Sequence, residues 1–418
     1  MFVAIRNDPR DYAWGSHDAI AGFLGTEPPG GPQAELWLGA HPGSPSRIVD
    51  PSQTGGAPDL AAWIAADPEQ ALGAGLAASG ARLPFLLKLL AAGGPLSLQA
   101  HPTPEQARAG FAREEADGVA IDAFDRNYKD EFHKPELIVA VSDEFDALSG
   151  FRPLDEVRGI LSVLRAADAA DEQPEPAALD LLESHLAGGP GDDGLADTVE
   201  WLLRDGRGGD TGEASWVVER VVRLAASATA EASEFRMSFG TVGDLADAYP
   251  GDPGIVISLL LNRVRLSRGE ALYLRAGNIH AYLRGLGIEL MAASDNVLRG
   301  GLTPKHIDVS ELVDVLDFTP IAPPRLEPER SAPGVETFRP DVPDFVLHRI
   351  EPGGGSAGVA LDGPAIVLVE GAPIALRGAS GQVEVPRGGA VYVTPEEGEL
   401  SATGPGVAWI ATTGRAAG

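Results

Sequence analysis

The spacing of apolar positions along the 418-residue chain changes character twice. Up to about residue 150 the apolar runs are short and broken by Gly, Pro and Asp, and where they alternate with polar residues they predict strands. In "PLSLQAHP", Leu96, Leu98 and Ala100 alternate with Ser97, Gln99 and His101, so the three polar side chains share one face of a strand. A helix is predicted directly after it, with Thr103 as N-cap, Pro104 at the first position and Gln106 completing a capping box. From 151 to about 245 the period becomes helical: Leu154, Val157, Leu161 and Leu164, then Leu179, Leu182 and Leu186, then Val218, Val221, Val222 and Ala225. The loops "GGPGDDG" and "DGRGGDTGE" in this block read as solvated. Beyond 250 strands return in "GIVISLLL", "EALYLRAGNIHAYL" and "GIELMA". A Pro-rich linker is predicted at 321 to 334, followed by short alternating strands that suit a small antiparallel sandwich or barrel.

A chain of this length exceeds one ordinary core, so two or three compact units are expected. The formal net charge of -29 argues against nucleic acid or an anionic membrane surface as partner, since both demand clustered Lys and Arg. It leaves room for a small anion, which needs only a few cations in a cleft. With no cysteine, disulfides and thiolate metal sites are excluded, and any metal must be held by His, carboxylate or amide oxygen. The N-terminus lacks an apolar signal core, and the most apolar stretch, "LPFLLKLLAAGGPL", is short and interrupted by Lys88. A soluble, cytoplasmic protein is expected.

Four segments carry polar residues in apolar, strand-like surroundings. They are "LSLQAH" with Gln99 and His101, "YKDEFHKPELIVAV" with His133, Lys134 and Glu136, "RAGNIHAYLRG" with His280, and "ELMAASDNVLRGGLTPKH" with Glu289, Asp295, Arg299 and Lys305. Two imidazoles, a carboxylate and an amide oxygen would make a mixed N/O site for a borderline divalent cation. The bland alternative for each is a hydrogen-bonded structural residue. His17, His41, His185, His306 and His348 are read as structural, and Trp14 and Trp37 as core or wall.

The strings "YAWGS", "AELWLGAHP", "LPFLLKLL", "LSLQAHP", "YKDEFHKPELIVAV" and "AGNIHAYLRGLGIELMAASDNVLRGGLTPKHIDV" together resemble the type I mannose-6-phosphate isomerases, also called phosphomannose isomerases, from about residue 12 to 310. One departure is Ala293, where many members carry Asn. The resemblance implies a mainly β fold: a cupin-type jelly-roll catalytic domain of residues 1–150 plus 246–320, an inserted α-helical domain at 151–245, and a C-terminal jelly-roll-like domain at 335–418. It implies one zinc ion on Gln99, His101, Glu136 and His280, and Arg299 as the catalytic arginine. It also places Lys88, His133, Lys134, Glu289 and Asp295 along the cleft.

The implied reaction is reversible conversion of mannose 6-phosphate to fructose 6-phosphate through a cis-enediol, serving carbohydrate metabolism or GDP-mannose biosynthesis, in an expected monomer. His133 is a candidate for ring opening, and Lys134 or Glu289 for the carbon-bound proton. A lysine base would need its pKa lowered by burial or nearby cations. Ser97, Lys88, Lys305 and Arg299 are the substrate and phosphate contacts expected. Two rivals have other chemistry. An iron-dependent cupin oxygenase would expect two His and one carboxylate without a glutamine ligand. A silent sugar-phosphate sensor would be expected to have lost Arg299 or a metal ligand. A further possibility, an added guanylyltransferase activity, has no suitable Gly-rich nucleotide-binding segment behind it.

Overall fold

The computed structural model describes residues 1–187, 194–206 and 211–414. The strand that organises the first sheet is His280–Ala292, thirteen residues long. Its first half pairs with Gln99–Ala100 and Glu144–Phe151, and its second half with Phe85–Ala92 and Glu136–Ala140, all antiparallel. Between the halves the register breaks after Tyr282, and Gly285 takes a φ of 127°. A Cβ there would lie 2.8 Å from a Phe145 ring carbon and 2.9 Å from the Glu144 carbonyl oxygen, so glycine lets the strand turn from one set of partners to the other.

The period of two then sorts the side chains. Leu36, Leu38, Leu87, Leu89, Leu137, Val139, Ile288 and Leu290 pack in one core cluster. The residues between them, Glu35, Trp37, Lys88, Glu136 and Glu289, face a common cleft. Leu98, Ala100 and Leu298 belong instead to the core cluster that holds the buried residues of the helices Leu154–Ala170, Leu195–Asp205 and Glu213–Ala225, so the strand that carries Gln99 shares its core with the helical block.

A second sheet runs in the order Glu329–Ala332, Val335–Phe338, Val346–Ile350, Val407–Thr412, Ala365–Glu370, Ala390–Val393, Phe2–Arg6, Arg47–Ile48. A four-stranded sheet, Ser356–Ala360, Glu399–Thr403, Ile374–Arg377 and Gln382–Val385, buries Val359, Leu376 and Leu400 with Val367 and Ile410 of that second sheet. The N-terminal strand Phe2–Arg6, expected with the first unit, is hydrogen-bonded to Ala390–Val393.

The capping-box helix forms at Pro104–Ala116, with reciprocal Thr103 and Gln106 bonds of 3.2 and 2.9 Å. Two elements differ from expectation. "GIVISLLL" gives the α-helix Gly254–Leu260 before its strand begins at Leu261. All seven helical residues are buried, and a run apolar on every side carries no period to separate helix from strand. Asp252 accepts from the Gly254 N–H at 2.8 Å and helps start that helix. The expected linker holds the exposed edge strand Glu329–Ala332, and its beginning is tied down by Asn262, which donates to the Ile321 carbonyl at 2.9 Å. The loop "GGPGDDG" lies almost wholly outside the described residues, and the middle of "DGRGGDTGE" does too. Among the described residues no helix is long and apolar enough to cross a membrane.

Candidate active site

Register brings the separated motifs together. His280 sits opposite Gln99, Arg299 is also opposite Gln99, Met291 is opposite Glu136, and Glu289 is opposite Lys88. The resulting cleft, about 550 Å³, is lined by Ser97, Gln99, Lys88, Lys134, Glu136, Glu289, Asp295, Arg299 and Lys305 among others.

At one side of it His101, Glu136 and His280, each 1 % exposed, place their ligand atoms within 4.8 Å of one another. His101 Nε2 is 3.2 Å from Glu136 Oε1, and His280 Nε2 is 3.3 Å from Glu136 Oε2. The Nδ1 atoms lie 2.8 Å from the Asn296 carbonyl and 2.9 Å from the Asn278 carbonyl. A carbonyl only accepts, so both Nδ1 atoms carry hydrogen, and the Nε2 atoms are the ring nitrogens turned toward the carboxylate and free to act as metal ligands. Burial, followed by the charge of Lys134, pushes His101 down to about 4, and Glu136 is held well below the ordinary carboxylate range despite burial, chiefly by Lys134 and His101.

His101 Nε2 and Glu136 Oε2 have no hydrogen-bond partner although both are buried. Lone pairs facing each other in a dry pocket are costly without a cation between them. The Gln99 amide lies 3.3 Å from His280 Nε2, where its oxygen could add a fourth donor. These residues fit a divalent metal, and the two-nitrogen, oxygen-rich set suits zinc.

Opposite the cluster, buried Lys88 lies 2.9 Å from Glu289 and 3.4 Å from Glu35, with its Nζ 5.2 Å from the Trp37 ring centroid. Burial opposes its charge, but Glu289, Glu35 and Glu136 together raise its pKa well above the ordinary lysine value. Glu289 is raised by burial against the pull of Lys88, with Glu136 and Glu35 adding to the rise. Arg299 and Lys305 form no ion pair among the described residues. Both are lowered by burial, and Lys305 also by the charge of Arg299.

One expected site residue is elsewhere. His133 Nε2 is 2.9 Å from Asp344 Oδ2, and the ring does not line the cleft. Lys134 and Glu136 are in phase on an extended backbone, which turns His133 the other way. Sequence reasoning missed Glu35 and Tyr282, which line the cleft, and His41, whose Nε2 is 3.2 Å from Asp295 Oδ2. For Glu35 a signal was present, because Glu35 and Trp37 alternate with Leu36 and Leu38 in "ELWL".

Fold and site together define a protein of mixed sheets and helices, more helical than the mainly β reading of the sequence, with a polar cleft of sugar size beside a buried, metal-ready His-Glu-His cluster. Residues 2–154 match the phosphomannose isomerase type I catalytic domain. The chain is 35% identical over 403 residues to the mannose-6-phosphate isomerase of Escherichia coli (strain K12), covering 96% of each. It is 32% identical to the Homo sapiens mannose-6-phosphate isomerase over 93% of this chain and 92% of that one. A zinc-bound crystal structure of mannose 6-phosphate isomerase superposes with a TM-score of 0.84 at 32% identity over 99% of both chains. The chain belongs to the mannose-6-phosphate isomerase family.

Proposed function

We propose that the protein interconverts mannose 6-phosphate and fructose 6-phosphate, with a divalent metal, zinc by donor set, held by Gln99, His101, Glu136 and His280. The observation that carries the sugar-phosphate reading is the pair Arg299 and Lys305, cations without a carboxylate partner among the described residues, at the cleft of a chain of net charge -29. Partly desolvated cations of this kind are complementary to a phosphate dianion, and the arginine fork can engage two of its oxygens. Ser97 lines the same cleft and adds a hydroxyl.

Ring opening needs a base for the anomeric hydroxyl. Asp295 supplies it in place of His133: its carboxylate lines the cleft and is half exposed. Isomerisation then moves a proton from C2 to C1 through a cis-enediol. Glu289 is the shuttle, because a carboxylate with a raised pKa is a stronger base and returns the proton readily near neutrality. Lys134 is engaged 2.9 Å from Glu136 and serves to hold that carboxylate. The Lys88 ammonium, beside Glu289, balances negative charge as it develops on substrate oxygen. When bound, zinc supplies a Lewis acid that polarises substrate oxygens.

The test is an NMR time course of mannose 6-phosphate with purified protein in heavy water, before and after chelation and with zinc restored. Metal-dependent fructose 6-phosphate carrying solvent deuterium supports the enediol path. No turnover in any state sinks it.

A further inference from the structure

His41 lies just outside the cleft, 7 % exposed, on the turn that follows the strand Glu35–Leu38. The Gly43 N–H donates to its Nδ1 at 3.1 Å, so Nδ1 is the acceptor and the ring hydrogen sits on Nε2. That Nε2–H points at Asp295 Oδ2, 3.2 Å away. The ring cannot swing, because its edge meets Trp37 with centroids 4.9 Å apart and the turn is pinned by Asn7, which donates to the Trp37 and Ser44 carbonyls at 3.0 Å each. From the other side the Asp295 backbone N–H donates to Asp130 Oδ2 at 2.9 Å. The carboxylate is therefore fixed at its backbone and at one oxygen, and its second oxygen is left for the cleft.

We propose that His41 is a positioning residue for Asp295, holding the carboxylate in the one orientation that receives the anomeric hydroxyl proton as the sugar ring opens. This rests on the isomerase reading. In the step, the O1–H proton goes to Asp295, the electron pair of that bond forms C1=O1, C1–O5 breaks, O5 takes a proton from water, and the hydroxide so formed recovers the proton from Asp295, which ends the step ionised. The titratable and charged groups that face Asp295 are the His41 imidazole, Lys134, Lys88 and, on its N–H, Asp130. Burial tends to raise its pKa, but the hydrogen bond from His41, with Lys134 and Lys88 behind, brings it below the ordinary aspartate value. Losing the bond should let it rise.

The experiment is a double-mutant cycle on the zinc-loaded enzyme with His41→Ala, His41→Gln, Asp295→Asn and the pair. His41→Ala should lower kcat/KM about tenfold, the scale of a lost hydrogen bond to a charged group, and move the acid limb of its pH profile upward. In the Asp295→Asn background it should cost nothing more. His41→Gln, whose Nε2 can reach the same oxygen, should recover most of the loss. Equal cost in both backgrounds, or an Asp295→Asn enzyme as active as wild type, overturns the proposal. If His41→Ala fails to fold, His41→Asn, polar but too short to reach Asp295, takes its place. A second readout needs no turnover: the carboxyl ¹³C resonance that Asp295→Asn removes should titrate at higher pH in His41→Ala, and an unchanged titration overturns the assignment. A wild-type protein without isomerase activity would sink the isomerase reading, while this titration would still decide the role of His41.

Discussion

Glu289 and Lys88 are register partners on neighbouring antiparallel strands, and their side chains meet at 2.9 Å with both almost wholly buried. Each needs the other, because a buried charge without its counter-ion is far more costly than the pair. The pair also sits where the proposed proton transfer needs a basic carboxylate beside a fixed cation.

Lys88→Met should therefore destabilise the protein by about 3 kcal/mol at neutral pH, since it leaves Glu289 facing Glu136 and Glu35 with only the weaker pull of Lys134 against them. The loss should shrink near pH 5, where Glu289 can take a proton instead. Urea denaturation at the two pH values checks this, and an equal loss at both would mean that Glu289 stays ionised. Turnover should fall in the same variant.

Much of this site could be read from the chain before any coordinates. Gln99, Glu136 and His280 break apolar strands at polar positions, and the motifs around them are long. Phase explains the failure at His133, which is one residue out of step with Lys134 and Glu136. His41 reads as structural in the sequence; it lies beyond the end of its strand, where no period assigns a face. Its link to Asp295 crosses 254 positions and leaves no local trace. Similarly, nothing within "FVAIR" says that it will pair with Ala390–Val393, because strand partnership is set by the global packing of apolar faces.

His280→Ala should lose the metal as well as activity. It removes one of three ligand atoms gathered within 4.8 Å, and with it the Nε2 lone pair that the Asn278 carbonyl orients. Elemental analysis of the purified variant should give far less zinc than wild type. A normal zinc content would take His280 out of the ligand set.

The metal-free protein should weaken as pH falls from 6.5 toward 4. His101 and His348 are each pushed down to about 4, in both cases first by burial, so across that window the unfolded chain binds protons that the folded one does not. Stability is then full above the unfolded value and is lost with decreasing pH, by about 2 kcal/mol per histidine between pH 7 and 5. Urea midpoints of chelated protein at the two pH values measure the sum. His348→Gln should remove roughly half of that difference, whatever it does to stability at pH 7. A pH-independent midpoint would show that neither imidazole is held neutral.

Arg299→Ala and Lys305→Ala should separate binding from chemistry. Among the described residues neither side chain forms an ion pair, so truncation leaves no counter-ion behind and should leave fold and zinc content intact. If the two cations hold the phosphate, each variant should raise KM for mannose 6-phosphate by about tenfold or more, the scale of a lost charge-assisted hydrogen bond. Inhibition by inorganic phosphate should weaken in parallel. Arg299, nearer the Gln99 strand through its register pairing, should also lose kcat, while Lys305→Ala should keep most of it. A loss of kcat in Arg299→Ala with KM and phosphate inhibition unchanged would move that arginine from the phosphate to the reacting carbons, and Lys305 would then be left to bind the phosphate without it.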